Sequence, residues 1–132
     1  MKIALLTKKK KFEITEKKLT KKLKNDEVLV KISGTGICGS DLHFFRNGAL
    51  GTMPPKFPLS LGHETAGIVI DKNKSQFKNY SNVVIDPLDI SSCKNIGKEI
   101  CGCGLKHNLC NYQTYLGSHP TPGSFREFMV LK

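Results

Sequence analysis

The sequence predicts a single, mainly-β domain: a β-barrel or partly open β-sheet with short helices and an irregular cysteine-rich lobe. Three observations predict it. Runs rich in β-branched residues recur along the chain, among them "NDEVLVKIS", "ETAGIVIDKN" and "NVVIDPL". Polar clusters and prolines separate them at short intervals, the pattern of small barrels and sheets. No strand–helix–strand alternation is visible, and 132 residues suffice for one domain with one core.

The elements follow in order. "KIALLTKKKKFEIT" (2–15) reads as strand, turn and strand. Residues 1–24 hold ten lysines against Glu13 and Glu16, so most of the net charge of +10 sits there. Such a run can mark a nucleic-acid binder. The aromatic–basic interleaving that stacks bases is missing, however, so no nucleic-acid partner is expected. The lysines read instead as a solvated edge that resists edge-to-edge pairing. "NDEVLVKIS" (25–33) is the next strand. "SDLHFFRNG" (40–48) is a helix of about two turns, with Ser40 or Asp41 as N-cap and Gly48 as terminator. "GTMPPKFPLS" (51–60), with three prolines, cannot be regular structure inside a sheet. "ETAGIVIDKN" and "NVVIDPL" are strands joined by the polar "NKSQFKNYS". Residues 91–115 form the irregular lobe, and "GSFREFMVLK" is the final strand.

No apolar run approaches the roughly 18 residues that cross a bilayer. The apolar piece Ile3–Leu6 is too short for a signal-peptide core. A cytoplasmic protein without a membrane partner is the expectation. Cysteines at 38, 93, 101, 103 and 110, with no export signal, then favour thiols or metal ligands over disulfides.

The stretch "GTGICGSDLH" (34–43) poses a choice. Gly34, Gly36 and Gly39 match the G-x-G-x-x-G spacing of a dinucleotide-binding loop. That loop requires a crossover helix, a second parallel strand and an acid about 20 residues on. Here the helix stops at Gly48, three prolines follow, and no Asp or Glu lies between Asp41 and Glu64. The dinucleotide reading is rejected.

A metal site fits better. Cys38 is a soft donor at a strand-to-helix turn, where helix-end amides stabilise negative charge. His63 and Glu64 open a strand in "LGHETAG". Thiolate, imidazole and carboxylate are the donors of catalytic zinc, which keeps one position open. Adjacent strand residues point to opposite faces, so His63 and Glu64 can share an ion only if the chain bends at Gly62 or His63. Asp41 could accept a hydrogen bond from the far nitrogen of His63 and so fix its tautomer.

"GICGSDLHFF" followed by "LGHETAGIV" resembles the zinc-dependent medium-chain alcohol dehydrogenases, in the branch of sorbitol dehydrogenase and L-idonate 5-dehydrogenase. The similarity runs from "NDEVLVKISGTGICGSDLH" through "PLSLGHETAGIV", "VVIDP" and the cysteine lobe to "GSFREFMVLK". It implies that residues 1–132 form a GroES-like β-barrel and that Cys38 and His63 are catalytic zinc ligands. Glu64 is a third candidate ligand. It further implies a proton relay through Ser40 and His43, and a substrate pocket bordered by Phe44 and Leu116. For both pocket residues, plain core packing stays open as the other reading.

The later cysteines resemble that family's structural zinc lobe, whose usual pattern is C-x2-C-x2-C-x7-C. This sequence has Cys93-x7-Cys101-x1-Cys103-x6-Cys110, with His107 as a possible substitute. A C-x-C pair in extended backbone sends both thiols to one face, so a shared zinc stays feasible.

The resemblance also implies NAD or NADP, held by a Rossmann domain that residues 1–132 do not include. The leading reading is therefore the zinc-bearing catalytic domain of an NAD(P)-dependent polyol or sugar-acid dehydrogenase. By this reading it is inactive alone and, when full length, a homo-oligomer. The alternative is a non-enzymatic zinc-binding β module acting through a partner.

Overall fold

The computed structural model describes residues 1–19, 22–52, 56–89, 110 and 112–131. Among them are eight strands and one helix, arranged as a partly open barrel. Strands β1 (Lys2–Lys8) and β2 (Lys11–Glu16) form an antiparallel hairpin. Strand β3 (Val28–Gly36) leads into helix α1 (Gly39–Asn47). Strands β4 (Glu64–Asp71), β5 (Asn82–Ile85), β6 (Leu88–Asp89), β7 (Thr114–Tyr115) and β8 (Phe128–Leu131) complete the order. The main sheet runs β5-β4-β3-β8, every pair antiparallel, and β6 and β7 make a second small ladder. No described helix is long and apolar enough to cross a membrane.

The lysine-rich segment forms its hairpin because the turn at Thr7–Lys11 is solvated. Lys10 takes a left-handed backbone (φ 59°), and the turn lysines are exposed. The hairpin is attached by its inner strand. Leu6 exchanges two backbone hydrogen bonds with Leu59 (2.8 and 2.9 Å), and the amide of Ala4 donates to the Phe125 carbonyl (2.8 Å). Leu59 belongs to the proline-bearing stretch, which is irregular where described, as its composition requires.

Two apolar clusters form the interior. Val28, Val30, Val69, Ile85, Leu116 and Met129 form one cluster, built mainly from strands of the main sheet. Leu6, Phe44, Leu59 and Leu61 pack hairpin, helix and connecting chain together, with Phe45, Leu50, Phe57 and Phe125 around them. Outside that cluster, Phe12 stacks on Phe45 at 5.8 Å.

Three sequence expectations are corrected. The N-cap of α1 is Cys38, not Ser40 or Asp41; Asp41 sits three residues further on and reaches back to the Cys38 amide. Aspartate performs this return bond as well as it caps, which is why composition alone misplaces the boundary. The strand expected over 25–33 does not end at Ser33 but runs from Val28 through Gly34, Thr35 and Gly36, because their backbones pair with β4. "NVVIDPL" breaks at Asp86–Pro87 into β5 and β6, since proline donates no ladder bond. Gly48 ends α1 as expected, left-handed at φ 78°.

Leu6 is fully buried and joins the hairpin to the second cluster. Leu6→Ala is expected to destabilise the domain by about 2–5 kcal/mol, measured as a lower urea midpoint with an unchanged slope.

Candidate metal centre

Cys38 and the His63–Glu64 pair are 25 residues apart in the chain, and two local features bring them together. The first is the end of β3. A register shift lies between the pairs Ile32↔Gly67 and Gly34↔Ala66, so Ser33 is an extra residue and the alternation of β3 resets before Thr35↔Thr65 and Gly36↔Glu64. Glu64 therefore lies opposite Gly36. A Cβ at Gly36 would stand 2.5 Å from Glu64 Oε2 and 3.1 Å from Glu64 Cβ. Only a residue without a side chain leaves that carboxylate its place.

The second is Gly62, at φ +94°, a backbone conformation that side-chain-bearing residues rarely adopt. A Cβ there would also collide with the Phe125 ring at 2.5 Å. The left-handed backbone at Gly62 interrupts the extended chain just before the two donors, so that His63 lies before the strand and Glu64 is the first residue of β4.

The result is a cluster in which a Cys38 sulfur, a His63 ring nitrogen and a Glu64 carboxylate oxygen all lie within 4.8 Å of one another. Donors of one tetrahedral zinc stand about 3.5 Å apart, given bonds near 2.0–2.3 Å. Small side-chain rotations close the remaining gap. Cys38 and His63 are half-buried and Glu64 is exposed, so the cluster opens on one side. Sulfur, nitrogen and oxygen with one side open is the donor set that suits a catalytic zinc.

Asp41, 4% exposed, ties the two segments together. Its Oδ2 accepts the Cys38 amide at 2.9 Å, and its Oδ1 accepts the Gly62 amide at 3.2 Å. The tautomer-fixing hydrogen bond expected from His63 is not formed. Nδ1 of His63 is 3.9 Å from Oδ1, ion-pair rather than hydrogen-bond distance. Two backbone amides have taken the carboxylate's best directions, so Asp41 places the ligand-bearing chains rather than the imidazole.

A cavity of about 330 Å³ adjoins the cluster, lined by Ser40, Asp41, Phe44, Leu50, His63, Pro87, Tyr115, Leu116, Gly117 and Ser118. Phe44 and Leu116 both reach it. Each also belongs to an apolar cluster, so the packing reading holds for them alongside the pocket reading. Ser40 lines the cavity, whereas His43 is exposed one helical turn on, its Nδ1 3.5 Å from Asn47 Nδ2. Leu50, Pro87, Tyr115 and Ser118 escaped sequence reasoning. They sit in loops or a two-residue strand; Tyr115 and Ser118 were signalled only by their nearness to Leu116 in the chain, and Leu50 and Pro87 by nothing local. Cys93, Cys101, Cys103 and His107 lie outside the described residues; Cys110 is buried at 1% exposure.

Fold and cluster together define a small mainly-β domain in which a thiol, an imidazole and a carboxylate converge. The model of the alcohol dehydrogenase GroES-like domain matches residues 24–132, and the chain belongs to that family, the zinc medium-chain alcohol dehydrogenases. Sorbitol dehydrogenase of Bacillus subtilis is 34% identical over 113 residues, 83% of this chain and 30% of that protein. L-idonate 5-dehydrogenase from Escherichia coli superposes with a TM-score of 0.81 at 31% identity, over 99% of this chain and 37% of that one. A putative zinc-binding dehydrogenase from Sinorhizobium meliloti bound to NADP gives 0.72 at 25% identity, over 98% and 35%. The chain thus spans about a third of the length of these relatives.

Asp41→Ala is expected to strand the buried Gly62 amide and to cost about 1–3 kcal/mol, read from urea denaturation. Asp41→Asn, which keeps one acceptor oxygen, is expected to lose less. Gly36→Ala is expected to push the Glu64 carboxylate out of the cluster, visible as a displaced Glu64 side chain in a crystal structure of the variant.

Proposed function

We propose that this chain is the zinc-bearing catalytic barrel of an NAD(P)-dependent polyol or sugar-acid dehydrogenase, similar to L-idonate 5-dehydrogenase, which oxidises a secondary alcohol to a ketone. The observation that carries the reading is the Cys38–His63–Glu64 cluster beside a cavity on which Ser40 also opens. The relatives' names, a sorbitol dehydrogenase and an L-idonate 5-dehydrogenase, supply the substrate class. An NADP-bound neighbour supports the cofactor class.

In this reading Cys38, His63 and Glu64 hold the zinc ion, which supplies Lewis acidity that makes an alcohol hydroxyl more acidic. A nicotinamide cofactor, bound by a further domain, would supply the hydride acceptor. The remaining work falls to residues of this chain. Ser40, on the cavity wall, accepts the hydroxyl proton as it passes on its own. His43 lies at i+3 on the same helix face and faces water, the position from which an imidazole delivers that proton to solvent. Phe44, Leu50 and Leu116 exclude water from the reacting end of the cavity and orient the carbon chain. Asp41 keeps Cys38 and Gly62 in register, so loading asks only for side-chain rotations of the donors.

The proposal extends to a structural zinc on Cys93, Cys101, Cys103 and Cys110, and to assembly with further copies in the full-length protein.

Two measurements test the reading. Loss of an inner ligand should exceed the 10–100-fold cost typical of outer partners. Cys38→Ser and His63→Ala are therefore expected to weaken zinc binding at this site on the order of 100-fold or more, followed by calorimetric titration. With the nicotinamide-binding domain present, Ser40→Ala is expected to lower kcat for polyol oxidation about 100-fold or more, while leaving zinc content unchanged. Undiminished zinc binding in Cys38→Ser would contradict the proposal.

A further inference from the structure

Directly behind the donor cluster lies a trio of hydroxyls from three separate segments, two of them buried and the third, Thr35, half-buried. Thr35 stands at the end of β3, three residues before Cys38. Thr65 follows Glu64 on β4, and Ser124 belongs to the chain leading into β8. Thr65 is 4% exposed and Ser124 1%. Thr65 Oγ1 and Ser124 Oγ are hydrogen-bonded to each other. Thr35 Oγ1 lies 3.3 Å from Ser124 Oγ and 3.4 Å from the Ser124 carbonyl, and Thr65 Oγ1 is 3.4 Å from Thr35 Oγ1.

The location ties this trio to the ligands. Thr35 and Thr65 are direct cross-strand partners, so their side chains share one face of the sheet. Glu64 and Gly36, the next pair, point to the other. The hydroxyls and the Glu64 carboxylate are therefore opposite sides of the same two rungs. Ser124 reaches the His63 side as well. Its amide donates to the Gly62 carbonyl at 2.9 Å, and its Oγ occupies the space that a Cβ at Gly62 would enter, 2.8 Å away. The flanking bonds from Phe125 to Leu61 and from Gly123 to Ser60 hold the same two chains side by side.

Burying hydroxyls costs free energy that methyl groups of the same volume would avoid, unless each finds a partner. Here they serve mainly one another. What directional bonds add over apolar packing is a fixed orientation for the strands that carry them. We infer that Thr35, Thr65 and Ser124 form a positioning network that sets where β4 begins relative to β3, and so holds Glu64 within ligand reach of Cys38 and His63. The inference rests on the zinc reading proposed above. The three act through the backbone of residues 62–65.

The test is zinc affinity of the 132-residue chain, measured by competition with a chromophoric chelator, beside the urea midpoint of each variant. Thr65→Val keeps the shape and removes the hydroxyl. It is expected to weaken zinc binding about tenfold, the lower range for outer partners of a metal site, while Thr65→Ser restores most of the affinity. In a Glu64→Ala background the valine substitution is expected to have no further effect, because there is no carboxylate left to place. Thr35→Val, which leaves the Thr65–Ser124 bond intact, is expected to act in the same direction more weakly, and serves if Thr65→Val does not fold. Unchanged zinc affinity in a folded Thr65→Val or Thr35→Val, with only the urea midpoint lowered, would overturn the inference. So would an equal loss with and without Glu64. If the unaltered chain takes up zinc with no dependence on Cys38, the functional reading itself falls, and the network's role with it.

Discussion

The structure depends on one buried carboxylate that accepts two backbone amides. Asp41 binds the amide of Cys38 with one oxygen and the amide of Gly62 with the other, and so fastens the start of α1 to the approach of β4. Neither segment is regular at that point. Cys38 is an extended N-cap and Gly62 is left-handed, and the amide of each finds its acceptor in this one carboxylate. A buried amide without an acceptor is costly, and charge-assisted bonds to a carboxylate are among the stronger ones available. The clamp is thus both a requirement of burial and the means by which two distant donors meet.

Around that clamp the fold supplies backbone freedom where side chains would interfere. Gly62 provides the left-handed turn, and Gly36 the empty rung beneath Glu64. The extra residue at Ser33 provides the register that sets Gly36 opposite Glu64 and Thr35 opposite Thr65. Bulges at such points re-aim side chains without breaking the sheet. The chemistry of Cys38, His63 and Glu64 follows from these choices rather than from any one strong interaction among the three.

Much of this was legible in the sequence. The β-branched runs, the turn signals and the missing second half of a dinucleotide-binding unit predicted a mainly-β domain. Cys38, His63 and Glu64 were nameable as donors from ligand chemistry and from a family resemblance. An irregularity at Gly62 or His63 was also demanded in advance, because neighbouring strand residues otherwise diverge, and Gly62 has a left-handed backbone. Less visible was everything set by long-range pairing. The partner of Asp41 was expected to be the His63 ring and is instead two backbone amides, which leave no trace in a sequence. The strand was expected to stop at Ser33, yet the pairing of Gly34–Gly36 with β4 makes them strand as well. The meeting of Thr35, Thr65 and Ser124 depends on a bulge and on a segment nearly 60 residues further along. Nothing local announces it.

The central claim is that one metal ion is gripped jointly by the sulfur of Cys38, the imidazole of His63 and the carboxylate of Glu64. X-ray absorption at the zinc edge, comparing the loaded chain with its Cys38→Ser variant, tests this most directly. The account predicts a zinc population with one sulfur and otherwise nitrogen and oxygen neighbours that disappears in the variant. Identical spectra for the two proteins would contradict it.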